Sequence, residues 1–287
     1  METCRLFEHI ALYCEKYTKV TPLTFLLGFY VSFIAGRWWR IFQNITLNIT
    51  VSCLVEGSDQ QSVNLRKTIL RYANLSQVLV LRDISKPMHQ RYPTLNYLVR
   101  AGYITETELV AYENTKAKMH KFWVPLQWAY TTVLDCRKSD KIRADIYAVQ
   151  ILNEIMTIQK NMHELLSYDW ITVPLVYTQV VTIAVYSYFL ASLFSRQYLD
   201  PTMRYSGYEF DLYFPWITIF EFFFYMGWLK VAESIMNPLG DDDDDIEVGR
   251  IIDRNNLVSS FAMTEINAAG QQRSTHMETN RNTVHKI

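Results

Sequence analysis

The 287-residue chain has no block of basic residues: its 28 lysines and arginines stand against 29 acidic residues, for a net charge of −1. A nucleic-acid binder normally carries a basic face that neutralises phosphates, so no nucleic-acid partner is expected. Cysteine is sparse as well. Cys4, Cys14, Cys53 and Cys136 stand far apart, with no CxxC pair and no histidine at ligand spacing. That excludes a zinc site and a dense disulfide framework, and the four read as isolated thiols. The six histidines are scattered without HExxH, and GxSxG and glycine-rich phosphate loops are missing. No nucleophile with its base, metal cluster or cofactor loop can be assembled, so the chain is not expected to be an enzyme and no residue is assigned a catalytic role. The first twenty residues do not form a secretory signal, because Glu2, Glu8, His9, Glu15 and Lys16 interrupt any apolar run.

What is present is apolar mass in separate stretches: 49% of residues are hydrophobic and 14% aromatic, yet the mean hydropathy is only −0.04. Such an average suits a large aqueous part joined to a few membrane spans. The uncharged run from Ile171 to Phe194 exceeds the ~20 residues that a helix needs to cross the hydrocarbon layer. A second candidate, Leu212 to Leu229, is dense in aromatics, with Glu221 as its one charge and Lys230 closing it. The third, Val20 to Gly36, ends on Arg37, Trp38, Trp39 and Arg40, a cation and indole cluster suited to a membrane boundary, and Pro22 and Gly28 should distort it.

Between the first and second spans the pattern becomes polar and helical. Leu65, Ile69, Tyr72 and Leu75 form one amphipathic face, and Ile142, Ile146, Val149, Leu152, Ile155, Met156 and Ile158 repeat the pattern. Arg37, Arg40, Arg66, Lys67 and Arg71 give this connector an excess of positive charge, which places it in the cytosol and the Ser195–Asp211 link outside. The sequons at Asn44, Asn48 and Asn74 then lie where they cannot be glycosylated.

Three features bear on chemistry. NPLGDDDDDIE, Asn237 to Glu247, follows the last span directly. Calcium takes six to eight oxygens from carboxylates and carbonyls, and a turn after Pro238 and Gly240 can aim several at one centre; the alternative is a solvated acidic run. The spacing is not that of an EF-hand. Thr21, Phe25 and Phe29, four residues apart, fall along one face of the first span. Phenyl edges carry positive charge, so such a face can tolerate a partly dehydrated anion and gate by dewetting, provided an assembly brings it to a common axis; otherwise the stripe is helix packing. Glu221 is an ionisable group inside a span, which marks either function, a protonated carboxyl or an aqueous crevice.

The segments PLTFLLGFYVSFIAGRWW, RKTILRYANLSQVLVLRDIS, YDWITVPLVYTQVVTIAVYSYFL, DLYFPWITIFEFFFYMGWLKVAESIMNPLGDDDDDIE and IIDRNNLVS together resemble the bestrophin family, over about Phe7 to Ser259. The resemblance implies an all-α, multi-span membrane helical bundle with a large cytosolic helical region, assembled as a homopentamer in the lipid bilayer. It implies a calcium-gated channel for chloride and other small anions, multi-pass in the plasma membrane. Thr21, Phe25 and Phe29 would form the pore neck, with Thr21 where the family has an aliphatic residue, and Ile146 the cytosolic aperture. The calcium ion would be held by side-chain oxygens of Asp242 and Asp245 and main-chain carbonyls of Ser234 and Asn237, supported by Asp241, Asp243 and Asp244. The family has a further amino-terminal segment and a first membrane helix upstream of Met1, which favours the alternative of a nonconducting or regulatory membrane subunit, a truncated isoform that modulates other channels.

The expected organisation is therefore an amino-terminal segment and first membrane span lining the pore over 1–36, and a cytosolic helical region over 37–170. Two spans with a short extracellular link occupy 171–236, the acidic calcium clasp and the segment after it 237–259, and a polar, disordered tail 260–287.

Overall fold

The computed structural model describes residues 2–45, 54–57, 59–117, 120–199, 205 and 214–258. The expected tail, most of the Ser195–Asp211 link, Asn48, Cys53 and the side chain of Cys4 lie outside them. Among the described residues the chain is all α, without a strand. It divides into two units, residues 1–39 with 172–237, and residues 40–171 with 238–287.

The first unit contains α1 (Glu2–Val20), most of α2 (Leu23–Ile45), α9 (Leu175–Ser195) and α10 (Trp216–Ser234). Pro22 cannot donate a backbone hydrogen bond, and the chain bends by 43° at Thr21–Pro22, between α1 and α2. The apolar run Val20–Gly36 lies largely in a helix that starts after Pro22 and continues through Arg37–Arg40 to Ile45. Charge ends an apolar run, but it does not break a helix. On α2, Leu23, Leu27, Tyr30 and Ile34 recur every three or four residues and are buried with Val181, Val185, Tyr188 and Phe189 of α9 and Leu229 and Ala232 of α10. Thr24 Oγ1 and Tyr225 Oη, 2.6 Å apart, tie α2 to α10.

The α9 helix begins only at Leu175, since Pro174 stands immediately before it, and α10 at Trp216, after Pro215. Among the described helices α9 alone is long and apolar enough by itself to cross a membrane, while α1 from Arg5 and α2 qualify together as a bent pair. The α10 helix has the length but carries Glu221, Lys230 and Glu233.

The second unit is built around α3 (Gln60–Ile84). Its start is capped by Asp59, whose carboxylate accepts from Ser62 N–H at 3.2 Å. The sequence suggests one amphipathic face; the helix in fact buries nearly its whole circumference, including Leu70 and the consecutive residues Val78 to Leu81. Around it stand α4 (Lys86–Arg91), α5 (Leu95–Arg100), α6 (Glu106–Asn114), α7 (Trp123–Lys138) and α8 (Asp145–Trp170). Gly102, at φ +78°, ends α5 in the left-handed conformation that a side chain would resist. The α6 helix opens on a reciprocal box between Thr105 and Glu108. Residues 248–258 form a further helix that buries Val248 and Ile252 in the same core. The α8 helix buries Ala148, Ile151, Ile155, Ile158, Met162 and Leu165. Ile146, Val149 and Met156, expected on that face, are instead 71%, 53% and 55% exposed.

Two anchors brace this unit. Arg66 is fully buried and donates from Nη1 to the carbonyls of Val55 and Gly57 at 2.7 and 2.9 Å; burial lowers its pKa. Arg71 grips Glu108 with two bonds, Nη1 to Oε2 at 2.6 Å and Nη2 to Oε1 at 2.7 Å. Tyr72 Oη donates to the same carboxylate at 2.6 Å. Burial would raise the Glu108 carboxyl, but the bonds from Arg71, Tyr72 and the Thr105 N–H outweigh it and bring its pKa to about 2.

Candidate functional site

Opposite the packed residues of α2, Phe25 and Phe29 are 71% and 63% exposed, and Phe33 is 47% exposed. The four-residue spacing aligns them on one face, and the rings of Phe25 and Phe29 stack with centroids 6.4 Å apart. Phe33 turns its ring edge-on to Tyr177 of α9 at 5.7 Å. Thr21, four residues before Phe25, precedes the helix that carries the two rings. It sits in the break before α2, and its hydroxyl donates back to the Tyr17 carbonyl at 3.0 Å. Phe33 was missed by the sequence reading, although its position four residues beyond Phe29 extends the same stripe.

Ile146 stands in the first turn of α8, its side chain largely in the open. A buried face sits behind it, so the side chain is free to meet something other than its own core.

The acidic stretch forms a closed turn. Ile246 N–H donates to the Pro238 carbonyl at 2.9 Å and Asp245 N–H to the Asp242 carbonyl at 3.0 Å. The Asp245 carboxylate returns the contact, accepting from Asp242 N–H at 2.8 Å. Pro238 and Leu239 anchor one end of the turn in buried positions and Val248 the other, leaving Asp241 to Asp244 exposed between them. Ser234 is the last residue of α10 and Asn237 is exposed. Lys86 Nζ pairs with Asp241 at 3.1 Å, with both side chains largely exposed, so this contact adds little stability.

Among the described residues no three histidine, cysteine, aspartate or glutamate side chains converge as a metal-holding group. Adjacent carboxylates repel one another, and here Asp241 turns to Lys86 and Asp245 to the turn's own backbone. The donors that the turn offers are nevertheless all oxygens, the hard set that calcium takes. Cys14 and Cys136 are free thiols. Burial raises the Cys136 pKa, which makes it a poor nucleophile or ligand.

Glu221 has a partner inside its own unit: Tyr188 Oη donates to its Oε1 at 3.1 Å. Asn74, one of the sequons, is buried on α3 and donates to Asn256 Oδ1 at 2.9 Å, which leaves no room for a glycan.

Against known proteins, the family model described as "Bestrophin, RFP-TM, chloride channel" matches residues 1–265. Human Bestrophin-1 is 44% identical over 265 residues, which cover 91% of this chain and 45% of that protein. Human Bestrophin-3 is 42% identical over 266 residues, 91% of this chain and 40% of that one. The chain thus spans less than half the length of these two relatives. Among solved structures, a bacterial bestrophin homolog from Klebsiella pneumoniae superposes with a TM-score of 0.62 at 14% identity, covering 92% of this chain and 87% of the other. At that identity the likeness speaks for the fold alone.

Proposed function

The chain belongs to the bestrophin family, and we propose that it forms a calcium-gated chloride channel as a homopentamer in the plasma membrane. The observation that carries this reading is the division of α2 into a buried aliphatic face and an exposed face of Phe25, Phe29 and Phe33. An exposed aromatic stripe on a helix of the membrane unit is costly in water. Five copies that bring this face to one axis would line a narrow apolar path with it.

In that arrangement Thr21 contributes to the neck that Phe25 and Phe29 form. Their ring edges face a passing anion with positive charge, while their apolar surface expels water when the neck is narrow. Ile146 rings the second constriction on the cytosolic side, where the exposed start of α8 selects anions by size. Asp242 and Asp245, with the carbonyls of Ser234 and Asn237, would hold the calcium ion, and Asp241, Asp243 and Asp244 add negative field around it. Positive charge from calcium held there would let the carboxylates of this turn approach one another. Gating follows if the turn binds calcium more tightly in the open state than in the closed one.

The test is current from the purified protein in a planar bilayer, with and without micromolar calcium. The proposal expects unitary anion currents that appear with calcium and vanish in chelator. A protein that only modulates other channels gives none of its own, and that result rejects the proposal.

A further inference from the structure

Gln77 lies in the middle of α3 with no exposed surface. Its Nε2 donates to the carbonyl of Ile45, the residue on which α2 ends. Its Oε1 accepts from Asn255 Nδ2 at 3.0 Å. Asn255, also buried, belongs to the helix of residues 248–258, which follows the acidic turn directly.

The orientation of these amides is forced. The Ile45 carbonyl can only accept, so the nitrogen of Gln77 must face it. The oxygen of Gln77 is then left to Asn255, whose nitrogen must face back. The two bonds make one directional chain across three stretches that are 32 and 178 residues apart in sequence. Burial matters too, because water does not replace a bond broken there.

The chain joins the two features assigned to gating. The α2 helix runs unbroken from Leu23 to Ile45, so Phe25 and Ile45 belong to one helix. The acidic turn closes by the Ile246 to Pro238 bond and runs straight into the helix that carries Asn255. We propose that Gln77 is the positioning residue that transmits the state of the acidic turn to α2, through Asn255 on one side and the Ile45 carbonyl on the other. This rests on the preceding reading, in which the turn senses calcium and the Phe25–Phe29 face is the gate. A displacement of the 248–258 helix moves the Gln77 oxygen, and the amide cannot rotate to follow without releasing Ile45. The end of α2 must move with it.

The experiment compares calcium binding, by calorimetry, with the calcium concentration that half-activates chloride flux from vesicles holding the purified full chain. In Gln77→Leu and Asn255→Ala, binding should stay within about twofold of wild type while half-activation rises about tenfold. The double variant should shift no further than either alone, because both cut one chain. Asn256→Ala is the control: its bonds to Asn74 and Tyr103 lie outside the Gln77 chain, and it should keep the wild-type ratio of activation to binding. If Gln77→Leu does not fold, Asn255→Ala is read alone in the same way. An unchanged ratio in Gln77→Leu and Asn255→Ala, or shifts that add in the double variant, overturns the inference and leaves the channel reading intact. A wild-type chain without calcium-dependent flux overturns both.

Discussion

Tyr188 donates its hydroxyl to Glu221 Oε1 at 3.1 Å, joining α9 to α10 through the one acidic side chain among the aromatics of α10. The phenol is nearly buried, and its ring packs edge-on to Phe189 at 5.2 Å. Tyr188→Phe removes that donor while keeping the ring, and should cost about 1–3 kcal/mol, read as a lower melting temperature in detergent. Glu221→Gln still accepts from Tyr188 and should melt within a few degrees of wild type. A larger loss in Glu221→Gln than in Tyr188→Phe assigns the carboxylate a role beyond this bond.

Glu108→Gln should destabilise the second unit by about 1.5–3 kcal/mol at neutral pH, since it weakens a two-bond grip by Arg71 and a bond from Tyr72. The folded pKa of about 2 lies below the ordinary 4.5. The added stability is therefore fully present above pH 4.5 and is lost as pH falls from there towards 2. Melting temperatures of the two proteins should converge over that window and stay apart above it.

Ile146→Ala removes a side chain that is 71% exposed in this unit, so stability should change by less than about 0.5 kcal/mol. As an aperture residue it should alter the relative permeabilities of anions of different size while leaving calcium dependence as it is. Bi-ionic reversal potentials measure this, and unchanged ratios remove Ile146 from the pore.

The helical class and the α2 stripe were legible in the sequence because both depend on local periodicity. Leu27, Tyr30 and Ile34 are buried while Phe25 and Phe29 are not, as a period near 3.6 requires. Periodicity misled on α8, where Ile146, Val149 and Met156 are as apolar as Ile151 and Ile155 but lie on the other side. Hydrophobicity says that a residue should be covered, not by which surface. Arg37 and Arg40 end an apolar run without ending α2, so the helix is longer than the apolar stretch that marks it. Gln77 gave no signal: a polar residue in a helical pattern reads as exposed, and its partners Ile45 and Asn255 are far away in sequence. The pairing of Asn74 with Asn256 was hidden for the same reason.

Asp242→Asn combined with Asp245→Asn should abolish calcium binding by calorimetry while leaving the oligomer intact on sizing. Asparagine at 245 can still cap the Asp242 N–H through its amide oxygen, so the turn itself is retained. A solvated acidic run makes the opposite forecast, in which the wild type itself shows no saturable calcium heat.

The central claim is that the exposed phenylalanine face of α2 closes an anion path when calcium is absent, and Phe25→Ala with Phe29→Ala addresses it most directly. The measurement is chloride efflux from vesicles in chelator, comparing this double variant with wild type at equal protein content. Removing both rings widens the neck and abolishes its dewetting barrier, so wild-type vesicles should retain chloride while the variant's empty without calcium, at least about tenfold faster. A variant that folds, assembles and stays as tight as wild type in chelator contradicts the account and returns the stacked rings to the role of packing.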